Sequence, residues 1–152
     1  MPYTNSIKAN EGGMRMTPNK AIEKVDRLKP NSYSEEDKLG WINELEGMVK
    51  RLVFQWDENY LKEIETQYEN GDISEEEYNE IIRKTKPLVY PEDMETELLV
   101  LDPFEDIYTL FLEAKIDYYN KEIANYNNSA MMFEAQFNEF KKDYIRHNRA
   151  RG

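Results

Sequence analysis

Two carboxylates one helical turn apart, Glu113 and Asp117, are the residues whose types and spacing could support chemistry. Paired carboxylates can hold a metal ion or divide the roles of general acid and general base between them. A di-metal site in a helical bundle also needs two Glu-x-x-His motifs, and the one histidine of the chain is His147, near its end. We therefore interpret the two carboxylates as a solvated or ion-paired helix face, and His147 as a surface residue.

Other chemistries are excluded by residue types that the chain lacks. It contains no cysteine, which rules out disulfides, thiolate metal sites and cysteine nucleophiles. A single histidine rules out zinc sites built on two histidines. The sequence contains neither a phosphate-binding Gly-x-x-x-x-Gly-Lys loop nor a Gly-x-Ser-x-Gly nucleophile motif. We expect a protein that is not an enzyme and has no catalytic residues, no cofactor and no metal site.

Composition indicates one folded domain. The chain has 152 residues, enough for a single core, and its 12% of aromatic residues is more than a disordered chain carries. Its 31 acidic and 20 basic residues give a net charge of −11, which argues against a nucleic-acid grip over the whole surface. No apolar run approaches the roughly 18 residues that a membrane span requires, and the polar N-terminus is unlike a signal peptide. We expect a soluble intracellular protein without membrane contact.

Capping signals divide the chain into helices. The sequence contains four such signals. In two of them a capping residue directly precedes a proline, and in the other two it stands three residues before an acidic residue. These are Thr17-Pro18, Ser34 with Asp37, Ser74 with Glu77, and Asp102-Pro103. Residues 87–103 form a connector whose short apolar run has no second strand to pair with. The pattern predicts an all-α fold, a small helical bundle.

An apolar stripe near the C-terminus is the most regular pattern in the chain. Its members are candidates for the core and for a subunit interface: Leu112, Ile116, Tyr119, Ile123, Tyr126, Phe133, Phe137, Phe140 and Tyr144. With Ala130 between Tyr126 and Phe133, the spacings alternate between four and three and predict one long helix or two nearly collinear helices. A bend or break is expected at Asn125–Asn128, because asparagine is a weak helix former. A second apolar face at residues 104–114 predicts that the first half is the central core helix.

Three interpretations of the stripe stay open. Internal helix packing is the simplest, and a ligand pocket is the less favoured alternative. The stripe and the second apolar face exceed what two short partner helices can cover, which favours contact between subunits, where tyrosine is common.

Charge is distributed unevenly along the chain. Residues 55–97 hold fourteen acidic and four basic residues, a net charge of −10, with few apolar positions. Residues 57–86 are therefore predicted to form an acidic helical hairpin, whose first helix stops at Asn70-Gly71 and which projects from the domain or packs on a partner. Residues 1–16 are predicted to be a flexible arm, and residues 17–152 a single helical domain.

The last twelve residues reverse the sign of the charge. Residues 141–152 form a basic tail of net charge +4. Its candidates for binding a partner are Lys141, Lys142, Arg146, Arg149 and Arg151. The open alternatives are a solvated C-terminus, a contact with DNA, and attraction to the acidic hairpin of a neighbouring subunit.

Two stretches of the chain together resemble a known family. One is residues 16–47, MTPNKAIEKVDRLKPNSYSEEDKLGWINELEG; the other is residues 97–108, ELLVLDPFEDIY, followed by IDYYNKEI at 116–123 and YNNS at 126–129. They resemble the head–tail connector proteins (adaptor or head-completion proteins) of tailed phages and prophages of Gram-positive bacteria. The resemblance covers residues 16–54 and 88–147. The segment 57–86 is unlike the shorter relatives and has the character of an insertion, and Leu101-Asp102 stands where a more proline-rich approach is usual.

The resemblance implies a structural virion protein. Such a protein is an all-α subunit in a homo-oligomeric ring of about a dozen copies that docks on the portal protein, extends the DNA channel and offers a surface to the next head-completion or tail component. DNA passes through without specific binding, and negative charge on the lumen would repel phosphates. Its location is the head–tail junction of the virion, and the host cytoplasm during assembly. The alternative is a small acidic phage-encoded regulator or DNA mimic that inhibits a host protein through the acidic hairpin.

Overall fold

Six helices make up the fold in the part of the chain that the computed structural model describes, residues 15–53 and 58–151, with only the backbone at 58, 84 and 148–151. They are α1 (Pro18–Leu28), α2 (Glu35–Val53), α3 (Glu58–Glu69), α4 (Glu75–Thr85), α5 (Asp106–Tyr119) and α6 (Ile123–Arg151). No strand occurs within these ranges. The predicted all-α class, a helical bundle with a long C-terminal helical segment, is confirmed.

Three of the four predicted capping signals begin helices as expected. Thr17 accepts a hydrogen bond from the Lys20 amide at 3.2 Å and starts α1. Ser34 accepts one from the Asp37 amide at 3.0 Å, directly before α2. Ser74 forms a complete capping box at the start of α4. These signals succeed because a cap satisfies amides within its own first turn and needs no other part of the chain.

The fourth signal, Asp102-Pro103, is wrong as a helix start. The chain first makes turns, with the Phe104 amide donating to the Leu101 carbonyl at 2.9 Å, and α5 begins at Asp106. These turns place the Phe104 ring against the Phe140 ring of α6, with the centroids 5.9 Å apart. An aromatic contact across the bundle therefore accompanies the later start.

Helix α5 lies at the centre of the bundle and packs against α1, α2 and α6. Its buried residues occupy most of its circumference: Ile107, Tyr108, Thr109, Leu112, Ala114, Ile116 and Asp117. Ile22 and Val25 of α1 and Leu45 of α2 are fully buried in the same core. The prediction that this segment is the central core helix is confirmed, and its burial supplies most of what holds the bundle together.

The N-terminal edge of the folded body lies earlier than the predicted end of the arm. Met16 is buried, and its carbonyl accepts the Leu98 amide at 2.9 Å. The Asn19 amide donates in turn to the Met94 carbonyl at 2.9 Å. Residues 1–14 of the predicted arm lie outside the described residues, whereas Met16 belongs to the core.

Helices α5 and α6 form an antiparallel hairpin, and α6 is twice as long as α5. Three aromatic pairs define the register of this hairpin. From pair to pair, the residue number rises on one side by as much as it falls on the other, as expected for antiparallel segments. The pairs are Tyr118 with Tyr126, Phe111 with Phe133, and Phe104 with Phe140. The expectation of one long helix or two nearly collinear helices is wrong, since the chain reverses direction in the middle of the stripe.

The reversal occurs at Asn120–Glu122, and the expected break at Asn125–Asn128 is wrong as well, because α6 runs through those asparagines. Lys121 has a φ of 60°, in the left-handed region. Its amide bonds to the Tyr118 carbonyl, and the Glu122 amide bonds to the Asp117 carbonyl. These two bonds are the pattern of a Schellman motif, with lysine at the position that glycine usually occupies.

Helices α3 and α4 form the predicted acidic hairpin and pack on each other. The Tyr68 and Tyr78 rings stack with centroids 4.4 Å apart, and Gly71, with a φ of 79°, ends α3 in a second Schellman motif. Where the chain returns to the bundle, the Asn43 side chain makes two hydrogen bonds with the backbone of Leu88, of 2.8 and 3.0 Å. The hairpin is therefore held by its own contacts and by its base.

Candidate functional site

The candidate interface stripe is divided between core and surface by the α5–α6 reversal. Its buried members are Leu112, Ile116, Phe133, Phe140 and Tyr144. Tyr126 and Phe137 are half-buried, and Tyr119 and Ile123 are exposed. Internal packing, the simplest of the three interpretations, therefore accounts for the ends of the stripe and leaves its middle exposed at the reversal.

An aromatic cluster covers the turn end of the α5–α6 hairpin. The Tyr119 ring stacks on Trp41 of α2 with centroids 5.5 Å apart and an angle of 9° between the planes. Tyr33 packs edge-on against Trp41 at 5.5 Å, and its hydroxyl donates to Asn120 at 2.7 Å. Tyr118, which is exposed, packs edge-on against Tyr119 at 5.1 Å. Contacts across α2 and the reversal thus hold exposed rings in fixed positions.

A groove of about 420 Å³ runs between α5 and α6 next to this cluster. We call it the aromatic groove; its lining includes Phe111 and Tyr118 from α5 and Tyr126, Ala130 and Phe133 from α6. One charged edge is fixed, because Lys115 pairs with Glu44 at 2.7 Å and lies over the Phe111 ring. Because Lys115 and Glu134 line the groove together with the aromatic rings, it suits a partner group that has both apolar and polar parts.

The outer surface of α6 carries two exposed methionines, Met131 and Met132, with 68% and 51% of their surfaces accessible. We call this pair the methionine ridge. The sequence analysis did not select it, nor Tyr118. Residues 123–133 contain no charged side chain, a run that was available in the sequence as a signal of an unusual surface. Charged residues are depleted at the centres of protein interfaces, so this surface is suited to contact.

Of the two carboxylates considered for chemistry, Glu113 and Asp117, the second makes contacts that hold helices together. Asp117 is fully buried, and its Oδ1 lies 2.9 Å from the ammonium of Lys29, the residue that follows α1. Its Oδ2 accepts the Ser129 hydroxyl of α6 at 2.5 Å. Burial raises the pKa of Glu113, with the Asp117 charge also raising it and Lys29 opposing. The interpretation of an ion-paired face is confirmed for Asp117, which joins three helices.

A second buried polar network links α2 to α5. The Tyr108 hydroxyl donates to Glu46 Oε1 at 2.5 Å and accepts the Val100 amide at 3.0 Å, while the Leu99 amide donates to Glu46 Oε2 at 3.0 Å. Burial raises the pKa of the Glu46 carboxyl, and these hydrogen bonds lower it. Burial also raises the pKa of Tyr108, well above its usual value. The network satisfies the backbone of the extended connector inside the core.

The basic tail continues helix α6. Lys141 lies over the Phe137 ring at 5.1 Å, Lys142 lies 3.7 Å from Glu139, and Arg146 is exposed. The side chains of Arg149 and Arg151 lie outside the described residues. His147 is exposed, as predicted, and its Nδ1 lies 2.8 Å from the Asp143 carbonyl oxygen.

Two features are absent from the described residues. No group of three or more histidine, cysteine, aspartate or glutamate side chains is arranged to hold a metal ion there. Nor does any helix within that part of the chain combine the length and the apolar character needed to cross a bilayer.

Comparisons with protein-family models, with curated proteins and with solved structures find no significant match to this chain. The candidate surface consists of the aromatic groove and the methionine ridge on the α5–α6 hairpin, and of the aromatic cluster where the turn of that hairpin meets Tyr33 and Trp41.

Proposed function

We propose that this chain is a structural protein of the head–tail connector of a tailed phage or prophage. In this role it forms a ring with other copies, docks on the portal protein, extends the DNA channel and receives the next head-completion or tail component. Its place is the head–tail junction of the virion, and the host cytoplasm during assembly. The role is architectural, and the protein needs no catalytic group to fulfil it.

One structural observation supports the proposal together with the resemblance of residues 16–47, 97–108, 116–123 and 126–129. Helices α5 and α6 pack on each other and leave Tyr118, Tyr119 and Ile123 exposed at one end of the pair. Single exposed apolar residues are ordinary, but a cluster fixed by ring stacking is typical of a surface that contacts another protein. A subunit that assembles with copies and neighbours requires such a surface.

The charge distribution is consistent with a channel protein. Residues 58–85, which span α3 and α4, contain nine acidic and three basic residues. If such a hairpin faces the lumen, it repels the DNA phosphates and lets DNA slide past without binding. The exposed Lys142 and Arg146 of α6 offer the opposite sign to an acidic neighbour.

The acidic hairpin also favours a second candidate function, a DNA mimic that inhibits a host DNA-binding protein. Glu75, Glu76 and Glu77 in the first turn of α4 are all exposed, and the hairpin packs chiefly on itself. A row of exposed carboxylates can imitate phosphates toward a basic protein surface. This candidate requires no self-association.

Purified particles test the two functions against each other. Induced phage particles are separated from free protein by density centrifugation, and mass spectrometry measures the copy number of this chain relative to the portal protein. The connector function predicts a fixed ratio near that of the portal, and DNA-filled heads without tails when the gene is deleted. A chain absent from the particles and recovered on a host DNA-binding protein contradicts the connector function and supports the mimic.

A further inference from the structure

The C-terminal ends of α2 and α6 lie at the same end of the bundle. Helix α2 is antiparallel to α5, because Trp41 near its start stacks on the last residue of α5 and Glu46 in its middle bonds to Tyr108 near the start of α5. Since α6 is also antiparallel to α5, α2 and α6 run in the same direction. Their ends meet where the Tyr144 hydroxyl donates to the Val53 carbonyl at 3.1 Å.

The acidic α3–α4 hairpin starts and ends at this same place. The Lys50 ammonium, in the last turn of α2, donates at 3.0 Å to the carbonyl of Lys86, which caps the end of α4. Helix α3 begins at Glu58, five residues after Val53, so its start lies at most about 18 Å from the end of α2. The hairpin and residues 145–151 of α6 therefore leave the bundle at the same end.

These two neighbouring segments carry opposite charge. Residues 58–85 contain nine acidic and three basic residues, whereas residues 141–152 contain five basic residues and one acidic residue. Lys142 and Arg146 are exposed and lie one turn apart on α6. Charges act on each other over about one Debye length, which is about 8 Å at physiological ionic strength and about 20 Å at about 0.025 M salt. The hairpin is thus placed to act on the basic end of α6.

A basic helix end is suited to the phosphates of DNA. Affinity for DNA comes largely from Lys and Arg side chains close to phosphates, and this part of the binding requires no particular base sequence. An acidic segment at the same end of the protein opposes such binding, because it repels the phosphates and lowers the positive potential around the cations. The hydrogen bonds at the base of the hairpin keep its charge at this end of the bundle.

We propose that the acidic hairpin is an electrostatic shield that keeps DNA phosphates away from the basic end of α6 in the same chain. Lys142 and Arg146 are the residues that contact phosphates when the shield is weakened, and Glu63 and Glu65 of α3 are two of the residues that oppose the contact. The inference goes beyond the proposed function, because it requires neither a ring nor a portal. In a connector, the shield lets DNA pass the basic helix ends without being retained.

Two matched variants of the full chain test the shield. The hairpin variant combines Glu63→Gln with Glu65→Gln, and the control variant combines Glu36→Gln with Glu122→Gln. All four carboxylates are exposed, and each variant changes the net charge from −11 to −9. Glu36 and Glu122 lie toward the other end of the bundle, about 25 Å or more along α2 and α6 from the Val53–Tyr144 contact.

Fluorescence anisotropy with a labelled DNA duplex of about 20 base pairs measures the affinity, and circular dichroism confirms the fold of each variant. At about 0.025 M salt the hairpin variant is expected to bind DNA about fivefold more tightly than the wild type, because two carboxylates no longer repel the phosphates. The control variant is expected to stay within about twofold of the wild type. At about 0.3 M salt the gain is expected to disappear, because the Debye length is then only about 6 Å.

A third variant locates the DNA contact. Adding Lys142→Gln and Arg146→Gln to the hairpin variant removes two exposed cations from α6. This combination is expected to abolish the gain in affinity and to make the salt dependence of binding less steep, since fewer counterions are released.

Four results overturn the inference. Equal gains in the hairpin and control variants show that net charge alone sets the affinity. A gain that survives the loss of Lys142 and Arg146 places the DNA contact elsewhere. A wild-type chain that already binds as tightly as the hairpin variant has no shield, and a set of variants that all fail to bind DNA has no phosphate surface on α6. None of these results bears on the composition of phage particles, so the connector function is tested separately.

Discussion

Replacing Tyr108 with phenylalanine removes one buried oxygen and measures how much its two hydrogen bonds contribute to the free energy of unfolding. The hydroxyl donates to Glu46 Oε1 at 2.5 Å and accepts the Val100 amide at 3.0 Å, and all three residues are buried. In Tyr108→Phe the Val100 amide loses its acceptor. The Glu46 carboxyl loses the hydroxyl as a donor and keeps the Leu99 amide. A buried polar group that loses its partner costs about 1–3 kcal/mol, so we expect a loss of about 3 kcal/mol.

The loss of stability in Tyr108→Phe is expected to depend on pH, and the pKa of Glu46 decides whether it grows or shrinks as pH rises. Burial raises the pKa of that carboxyl in the folded protein, and the Tyr108 hydroxyl lowers it in part. A folded-state pKa above the unfolded value means that stability is full at low pH and falls as pH rises through the folded value. Removing the hydroxyl raises the folded pKa further, so Tyr108→Phe costs more at pH 8 than at pH 5.

Urea denaturation monitored by circular dichroism at both pH values measures the effect. With a slope of about 1–3 kcal/mol per molar, the midpoint is expected to fall by about 1.5 M at pH 8. Tyr118→Phe is the matched control, because Tyr118 is exposed and the same atom is removed from a solvated position. The reasoning is refuted if Tyr108→Phe costs no more than this control, or if its cost is the same at both pH values.

Three further predictions concern the turn, the titration and the core. Lys121→Gly is expected to stabilise the protein by about 0.5–1 kcal/mol in urea denaturation, because glycine adopts the positive φ of 60° without strain; a loss of stability contradicts the Schellman geometry. The pKa of Glu105 is raised to about 7, first by burial and then by its hydrogen bond to Asp102. Glu105 is therefore expected to contribute a fall in wild-type stability of about 1 kcal/mol between about pH 4.5 and 7, a value reduced for its partial exposure. In a pH series of melting curves Glu105→Gln is expected to lack this contribution and to keep the fall that Glu46 causes. Phe140→Ala is expected to cost about 3–5 kcal/mol, because this 1% exposed ring packs on Phe104, while Ile145→Ala at an exposed position changes stability by less than about 0.5 kcal/mol in the same assay.

Local signals in the sequence predicted local structure well. Thr17, Ser34 and Ser74 cap helices because each side chain bonds amides two or three residues away, and Gly71 ends α3 because glycine tolerates a positive φ. The end of α5 could not be found in this way. Lys121 occupies the same place in its Schellman motif as Gly71 does in the other, and lysine carries no compositional sign of that conformation.

The direction of the chain was the part that periodicity could not reveal. The spacing of Tyr119, Ile123 and Tyr126 continues the pattern on either side, although the chain turns between them. Spacing reports which positions are apolar, whereas the antiparallel pairing depends on contacts between α5 and α6 and on the stacking of Tyr119 on Trp41. The exposure of Tyr119 and Ile123 in the middle of the stripe follows from that reversal, so the candidate site was predicted only in part.

The anchoring of the acidic hairpin at its base makes this segment a natural place for variation in chain length. Lys50, in the last turn of α2, donates to the Lys86 carbonyl at 3.0 Å. Asn43, about two turns earlier in the same helix, holds the backbone of Leu88. The chain thus leaves the bundle and re-enters it beside the same helix. Doubling the length of such an excursion costs only about 0.6 kcal/mol of closure entropy. A fluorescent domain inserted at Gly71 can therefore report on assembly in living cells while the α5–α6 surfaces keep their native sequence.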